Sequence, residues 1–213
     1  MRRCRLASVL ALALLSACAG VPPHTELPPE SHAHWTLSEG GRFLGSATAV
    51  APDRLLTNRH VLPGPERRLT ATAPDGTAHP VRVLAVARRA DVALLGLAGP
   101  VAQPLGAPAQ PPVAGEALRV IGAVGGQRLS GVGRAEGEGA PPGLLLATLP
   151  AAPGFSGGPV LDARGGFVGI VMAAMARDLG EARQLAGVQG AAAPALRRVL
   201  VIPAEAALAA VAE

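Results

Sequence analysis

The chain has little that could staple or stack. Of its 213 residues only two are cysteine, the aromatics are one Trp and three Phe, and there is neither lysine nor tyrosine. Cys4 lies in an N-terminal leader that export removes, so at most one cysteine survives and no intramolecular disulfide can hold the mature fold. An aromatic content of 2% is too low to build a base-stacking surface. The missing Lys and Tyr accompany 27 Gly and 21 Pro and reflect a bias toward Arg, Ala, Gly and Pro rather than a function. Net charge is weak as well. The formal +4 includes Arg2, Arg3 and Arg5, and without them 16 basic residues face 15 acidic ones, so the high pI is no nucleic-acid signature.

Long apolar runs are also scarce. The first, Leu6 to Leu15, comes after the basic start "MRRCR" and precedes the small residues before Cys18. It is about 10 residues long, half of the roughly 20 that a spanning helix needs, and reads as an export signal over residues 1–17. Leu15-Ser16-Ala17-Cys18 resembles the bacterial lipobox, which implies cleavage before Cys18 and a lipid on that residue anchoring the chain to a membrane of the cell envelope. Cleavage at the nearby Ala-x-Ala is the alternative. Residues 18–34 are polar and Pro-rich and read as a tether. His32 and His34 fall in it, and as a metal site needs three or four ligands they read as solvated linker histidines.

Residues 35–213 read as a folded domain, with 49% hydrophobic residues in the whole chain to supply a core. Short apolar runs recur, broken by Gly, Pro and Asp: "RFLGSATAVAP", "RLLTNRHVL", "RRLTATAPDGT", "EALRVIGAVGG", "GFVGIVMAAMA". Strands at that spacing predict an all-β barrel or sandwich. The low-complexity stretch Ala98–Gly115 divides them into two halves, and "PAEAALAAVAE" predicts a C-terminal helix over 203–213.

Three side chains stand out chemically. A serine hydroxyl becomes a nucleophile when a histidine takes its proton, and the histidine works when a carboxylate fixes its tautomer. Ser156 sits in the Gly-rich "GFSGGP"; His60 is the one histidine of five that comes after an apolar run; Asp91 opens the apolar "DVALLGL", where a carboxylate needs a partner. "GSATAV", "TNRHV", "ADVALL" and "GFSGGPV" together resemble, in order, the motifs of trypsin-like serine proteases, most closely the bacterial HtrA/Deg type.

That resemblance implies two perpendicular six-stranded β-barrels, about 35–100 and about 101–202, with the active site between them. It implies His60 as general base, Asp91 as its orienter, Ser156 as nucleophile, and an oxyanion hole of the Gly154 and Ser156 backbone N–H groups. Pro150, Met172, Ala173 and Ala174 would form the primary substrate pocket, favouring small or medium aliphatic residues. Two positions depart from the family: Phe155 replaces the usual Asn or Asp before the serine, and Met172 a frequent polar residue. The expected function is a serine endopeptidase acting on exported or misfolded proteins without metal or cofactor; the alternative is an inactive protease-like binding or chaperone module. The chain ends at Glu213, so no PDZ module is expected after the helix. Substrate identity, inner or outer membrane, and oligomeric state stay open.

Overall fold

The computed structural model describes residues 27–64, 68–174 and 195–212. Cys18, His24 and the export leader lie outside them. Twelve strands form two closed antiparallel barrels among the described residues. The first contains β1 (His34–Glu39), β2 (Arg42–Ala51), β3 (Arg54–Thr57), β4 (Leu69–Thr72), β5 (Ala78–Val86) and β6 (Ala93–Gly96), in the spatial order 1-2-3-6-5-4. The second contains β7 (Ala117–Val124), β8 (Gln127–Glu138), β9 (Leu145–Ala151), β10 (Pro159–Asp162), β11 (Phe167–Ala174) and β12 (Ala195–Pro203). Its order, 7-8-9-12-11-10, repeats the first barrel's order six strands later. The expected two-barrel, all-β architecture with a short terminal helix is therefore what the chain forms.

The short apolar runs become strands because alternate residues find an interior. β4 shows it most simply: Leu69 and Ala71 are buried while Thr70 and Thr72 are half-buried. Closure removes the free edges that such strands would otherwise expose. Trp35, Leu37, Leu55, Leu56 and Leu95 fill the first barrel, and Leu118, Leu149, Val160, Val199 and Val201 the second. Residues 97–116 connect the barrels without a strand and are stitched to both: Leu105 N–H donates to the Ala49 carbonyl (3.1 Å) and Ala109 N–H to that of Phe167 (2.8 Å). The helix, α1 (Ala204–Ala210), starts one residue later than the sequence suggests. Pro203 is its N-cap and the last residue of β12.

One expectation is overturned. His34 is no solvated linker residue: it opens β1, pairs with Thr48 of β2 and is fully buried. Pro29–Ala33 before it form a 3-10 turn, with His32 Nδ1 2.8 Å from the Pro29 carbonyl. A polar, Pro-rich segment has little of its own to bury. It is the pairing of β1 with both β2 and β4 that carries His34 inside.

Candidate active site

Strand register brings the histidine to the carboxylate. β3 and β6 are antiparallel neighbours with Thr57 opposite Ala93, so the residues just past the end of β3 meet those just before β6. His60 lies in a 3-10 turn, Arg59–Val61, and Asp91 two residues before β6. Both carboxylate oxygens are used: Oδ2 is 2.6 Å from His60 Nδ1, and Oδ1 accepts the His60 backbone N–H at 3.0 Å. Asn58 Nδ2 donates to the Asp91 carbonyl at 2.9 Å and holds the loop from behind. Partial burial pushes the Asp91 carboxyl upward. Hydrogen bonds from the His60 ring and backbone, with the nearby charges of His60 and Arg59, outweigh it and leave the group below the usual carboxylate range. Asp91 is thus ionised and fixes the Nδ1–H tautomer, which leaves His60 Nε2 as the basic nitrogen.

Ser156 comes from the other barrel, on the loop between β9 and β10. The loop is tied across the interface to β2 by its carbonyls. Ser46 N–H donates to the Ser156 carbonyl (2.9 Å), Ser46 Oγ to that of Gly154 (2.7 Å), and Thr48 Oγ1 to that of Gly157 (2.8 Å). Thr57 Oγ1 in turn donates to the Ser46 carbonyl at 2.8 Å. The N–H groups of Gly154 and Ser156 have no hydrogen-bond partner among the described residues. They are therefore free to stabilise a developing oxyanion.

His60 and Ser156 share the wall of one open cavity of about 560 Å³, with Phe43, Leu44, Val61 and Gly154 among its other lining residues. They do not bond to each other. Ser156 Oγ donates at 3.3 Å to the carbonyl of Met172, the residue at a bulge in β11. The four expected pocket residues lie outside this cavity. Pro150 sits on β9 against Gly131 of β8, and Met172, Ala173 and Ala174 end β11; all four are half-buried and uncharged. Among the described residues no group of three His, Cys, Asp or Glu is placed to share a metal ion.

Phe155, the departure from the family pattern, has a structural task. Its ring is 1% exposed and lies over Gly122 of β7, where a Cβ would come within 2.3 Å of it. The loop is anchored from below by this ring instead of by a polar side chain. Phe155→Ala should cost about 3–5 kcal/mol of stability, read from urea unfolding. Ser46, Thr48 and His34 join the site without having stood out in the sequence as functional residues. The available signal is "GSATAV", in which Ser46 and Thr48 are two apart and so share one face of a strand.

His34 contributes differently. Burial, with the charge of Arg128, pushes its imidazole from 6.5 down to about 3. The unfolded chain takes up that proton near pH 6.5 and the folded protein only near pH 3. Stability from this group is therefore complete above about pH 6.5 and lost as pH falls toward 3, by up to about 1.4 kcal/mol per pH unit. The urea midpoint at pH 4.5 should fall well below that at pH 7, and His34→Gln should flatten the difference.

A family model for trypsin-like peptidase domains matches residues 45–170. No curated protein matches the sequence. Among solved structures, the active form of the Rv3671c protease from M. tuberculosis aligns with a TM-score of 0.68 at 21% identity, over 84% of this chain and 79% of that one. Its inactive form gives 0.66 at 21% identity, over 84% and 87%. The HtrA-type protease AlgW with a decapeptide gives 0.65 at 20% identity, over 84% of this chain and 62% of its own. Likeness at these identities speaks for the fold. The family match does more, because it runs from within β2 into β11, over more than half of the 213 residues, and takes in His60, Asp91 and Ser156: the chain belongs to the trypsin-like peptidases, a serine peptidase of the two-barrel fold.

Proposed function

We propose that the chain is an endopeptidase that hydrolyses peptide bonds of exported or misfolded proteins through an acyl-enzyme. The observation that carries this is the Asp91 carboxylate bonded to His60 Nδ1 at 2.6 Å, with the ring and Ser156 on one cavity. Ser156 Oγ leaves the Met172 carbonyl by rotation about its own Cα–Cβ bond and meets His60 Nε2. As Oγ bonds to the substrate carbonyl carbon, its proton passes to Nε2, and the oxyanion is held by the N–H groups of Gly154 and Ser156. His60 then protonates the departing amine, the C–N bond breaks, and water releases the acyl group by the same proton path in reverse.

Pro150, Met172, Ala173 and Ala174 stand outside the cavity of His60 and Ser156, but the Met172 carbonyl meets Ser156 Oγ, and none of the four offers a charge to a basic side chain, which supports a small or medium aliphatic residue on the acyl side of the cut. One methylene is worth only about 1–3 kcal/mol in such a pocket, so the preference should be broad. Cleavage of a peptide library should show Ala, Val, Ile or Leu before the scissile bond, and all cleavage should vanish in Ser156→Ala. Enrichment of Arg or aromatic residues there would refute the pocket assignment.

The export signal and the lipobox-like "LSAC" support a lipid-anchored protein of the cell envelope, tethered through Cys18. Metabolic labelling with a fatty-acid analogue should mark the wild type and miss Cys18→Ala; label retained in the variant would sink the anchor. One observation favours the second reading, an inactive binding or chaperone module: the Ser156 hydroxyl rests on the Met172 carbonyl instead of on His60.

A further inference from the structure

We propose that His34 is a positioning residue of the hydrolytic site, acting through the Ser46 hydroxyl on the Gly154 peptide. This role rests on the chain being an active peptidase.

Proton counting fixes the direction of each bond. Ser46 Oγ has one proton, and it goes to the Gly154 carbonyl at 2.7 Å, since a carbonyl can only accept. The contact of 2.9 Å between Ser46 Oγ and His34 Nε2 must then be an Nε2–H donating to the hydroxyl oxygen. The chain His34 Nε2–H, Ser46 Oγ–H, Gly154 C=O runs in one direction, and consecutive bonds of this kind strengthen one another. The tautomer is thereby settled. Nδ1 carries the lone pair, and it is buried without a hydrogen-bond partner among the described residues.

The restrained group is the peptide between Gly154 and Phe155. Its carbonyl accepts from Ser46, and its N–H donates to the Ala152 carbonyl at 3.1 Å. Turning this peptide over would break both bonds. Gly154 adopts φ +103, a conformation open to glycine, so its own backbone preference does not fix this peptide and the two bonds do. Ser46 also fixes the Ser156 carbonyl through its own N–H. One residue of β2 thus holds the carbonyl that follows each N–H assigned to the oxyanion, restraining the backbone on that side of both, and His34 dictates which way its hydroxyl points. Without the Nε2–H, the Ser46 proton can turn elsewhere and the Gly154 peptide loses one of its two restraints.

The test compares wild type with His34→Phe, His34→Gln and Ser46→Ala on a fluorogenic peptide, with thermal unfolding as a control for folding. Each is also titrated with a peptidyl boronate, which fills the oxyanion position, and with the product peptide, which does not. His34→Phe and Ser46→Ala should lower kcat by about 10- to 100-fold, less than outright loss of an oxyanion donor, with KM within about twofold. Boronate affinity should fall by a similar factor while product affinity holds. His34→Gln, whose amide N–H can replace Nε2–H, should recover most of kcat. Wild-type kinetics in Ser46→Ala, equal losses for boronate and product, or a Gln variant no better than Phe would overturn the proposal; Ser46→Ala decides alone if the His34 variants do not fold. A wild type that hydrolyses no peptide and binds no boronate would instead refute the peptidase reading, and the positioning role with it.

Discussion

Asp91→Asn should lower kcat by about 10⁴-fold in a protein that folds normally. The size of the effect comes from tautomer control rather than from lost binding. As an ionised carboxylate, Asp91 accepts from the His60 Nδ1–H at 2.6 Å and from the His60 backbone N–H at 3.0 Å. An asparagine can keep the backbone bond through its carbonyl oxygen, but it then presents an N–H to the ring. The ring answers by moving its own proton to Nε2, the nitrogen that has to receive the proton of Ser156. The base is present and correctly placed, yet already occupied. KM should change little, because Asp91 does not line the cavity that His60 and Ser156 share. Steady-state kinetics with purified Asp91→Asn, alongside circular dichroism, checks this; a loss smaller than about tenfold would show that His60 does not need its carboxylate.

Gly157→Ala should unfold or cripple the nucleophile loop, at a cost of about 2–4 kcal/mol and with loss of most activity. Gly157 sits at φ +85, where an L side chain is strained. A Cβ there would also come within 2.1 Å of the Ser46 carbonyl oxygen and 2.6 Å of Thr57 Oγ1. These are the two atoms of the Thr57 to Ser46 bond, so the intruding methyl pushes apart the bond that holds β3 to β2 where β2 meets the loop. Gly143 supplies the control. It has φ +86 but open space around a Cβ, so Gly143→Ala should show the strain alone, about 1 kcal/mol. Chemical denaturation of both variants measures the difference. Equal costs would mean that the contact of Gly157 with β2 does not matter.

Asp91 and Gly157 differ in how plainly the sequence announces them. The identity of His60, Asp91 and Ser156 is legible because each lies in its own short motif, and because an acid at the mouth of an apolar run needs a partner. The two-barrel fold is legible in the repeated short strands and the order of the motifs. Ser46 and His34 are not legible as site residues. Ser46 reaches Gly154 across 108 positions, and only closure of β1, β2 and the second barrel brings them together. His34 reads as a linker residue because its neighbours in sequence are prolines and polar residues, whereas its neighbours in space are strands. Phe155 reads only as a departure from the family pattern, and burial over Gly122 makes it an anchor. The pocket residues are a different case: their lack of charge is plain from the sequence, but their place outside the cavity of His60 and Ser156 depends on the paths of β9 and β11.

The central claim is that Ser156 is made nucleophilic by His60 under the control of Asp91. Intact-mass and peptide-mapping measurements after treatment with a fluorophosphonate probe address it directly. One adduct per wild-type chain is expected, located on Ser156, absent in Ser156→Ala and slowed by orders of magnitude in His60→Ala. A folded wild type that takes up no probe, or labelling that is equally fast without His60, would contradict it.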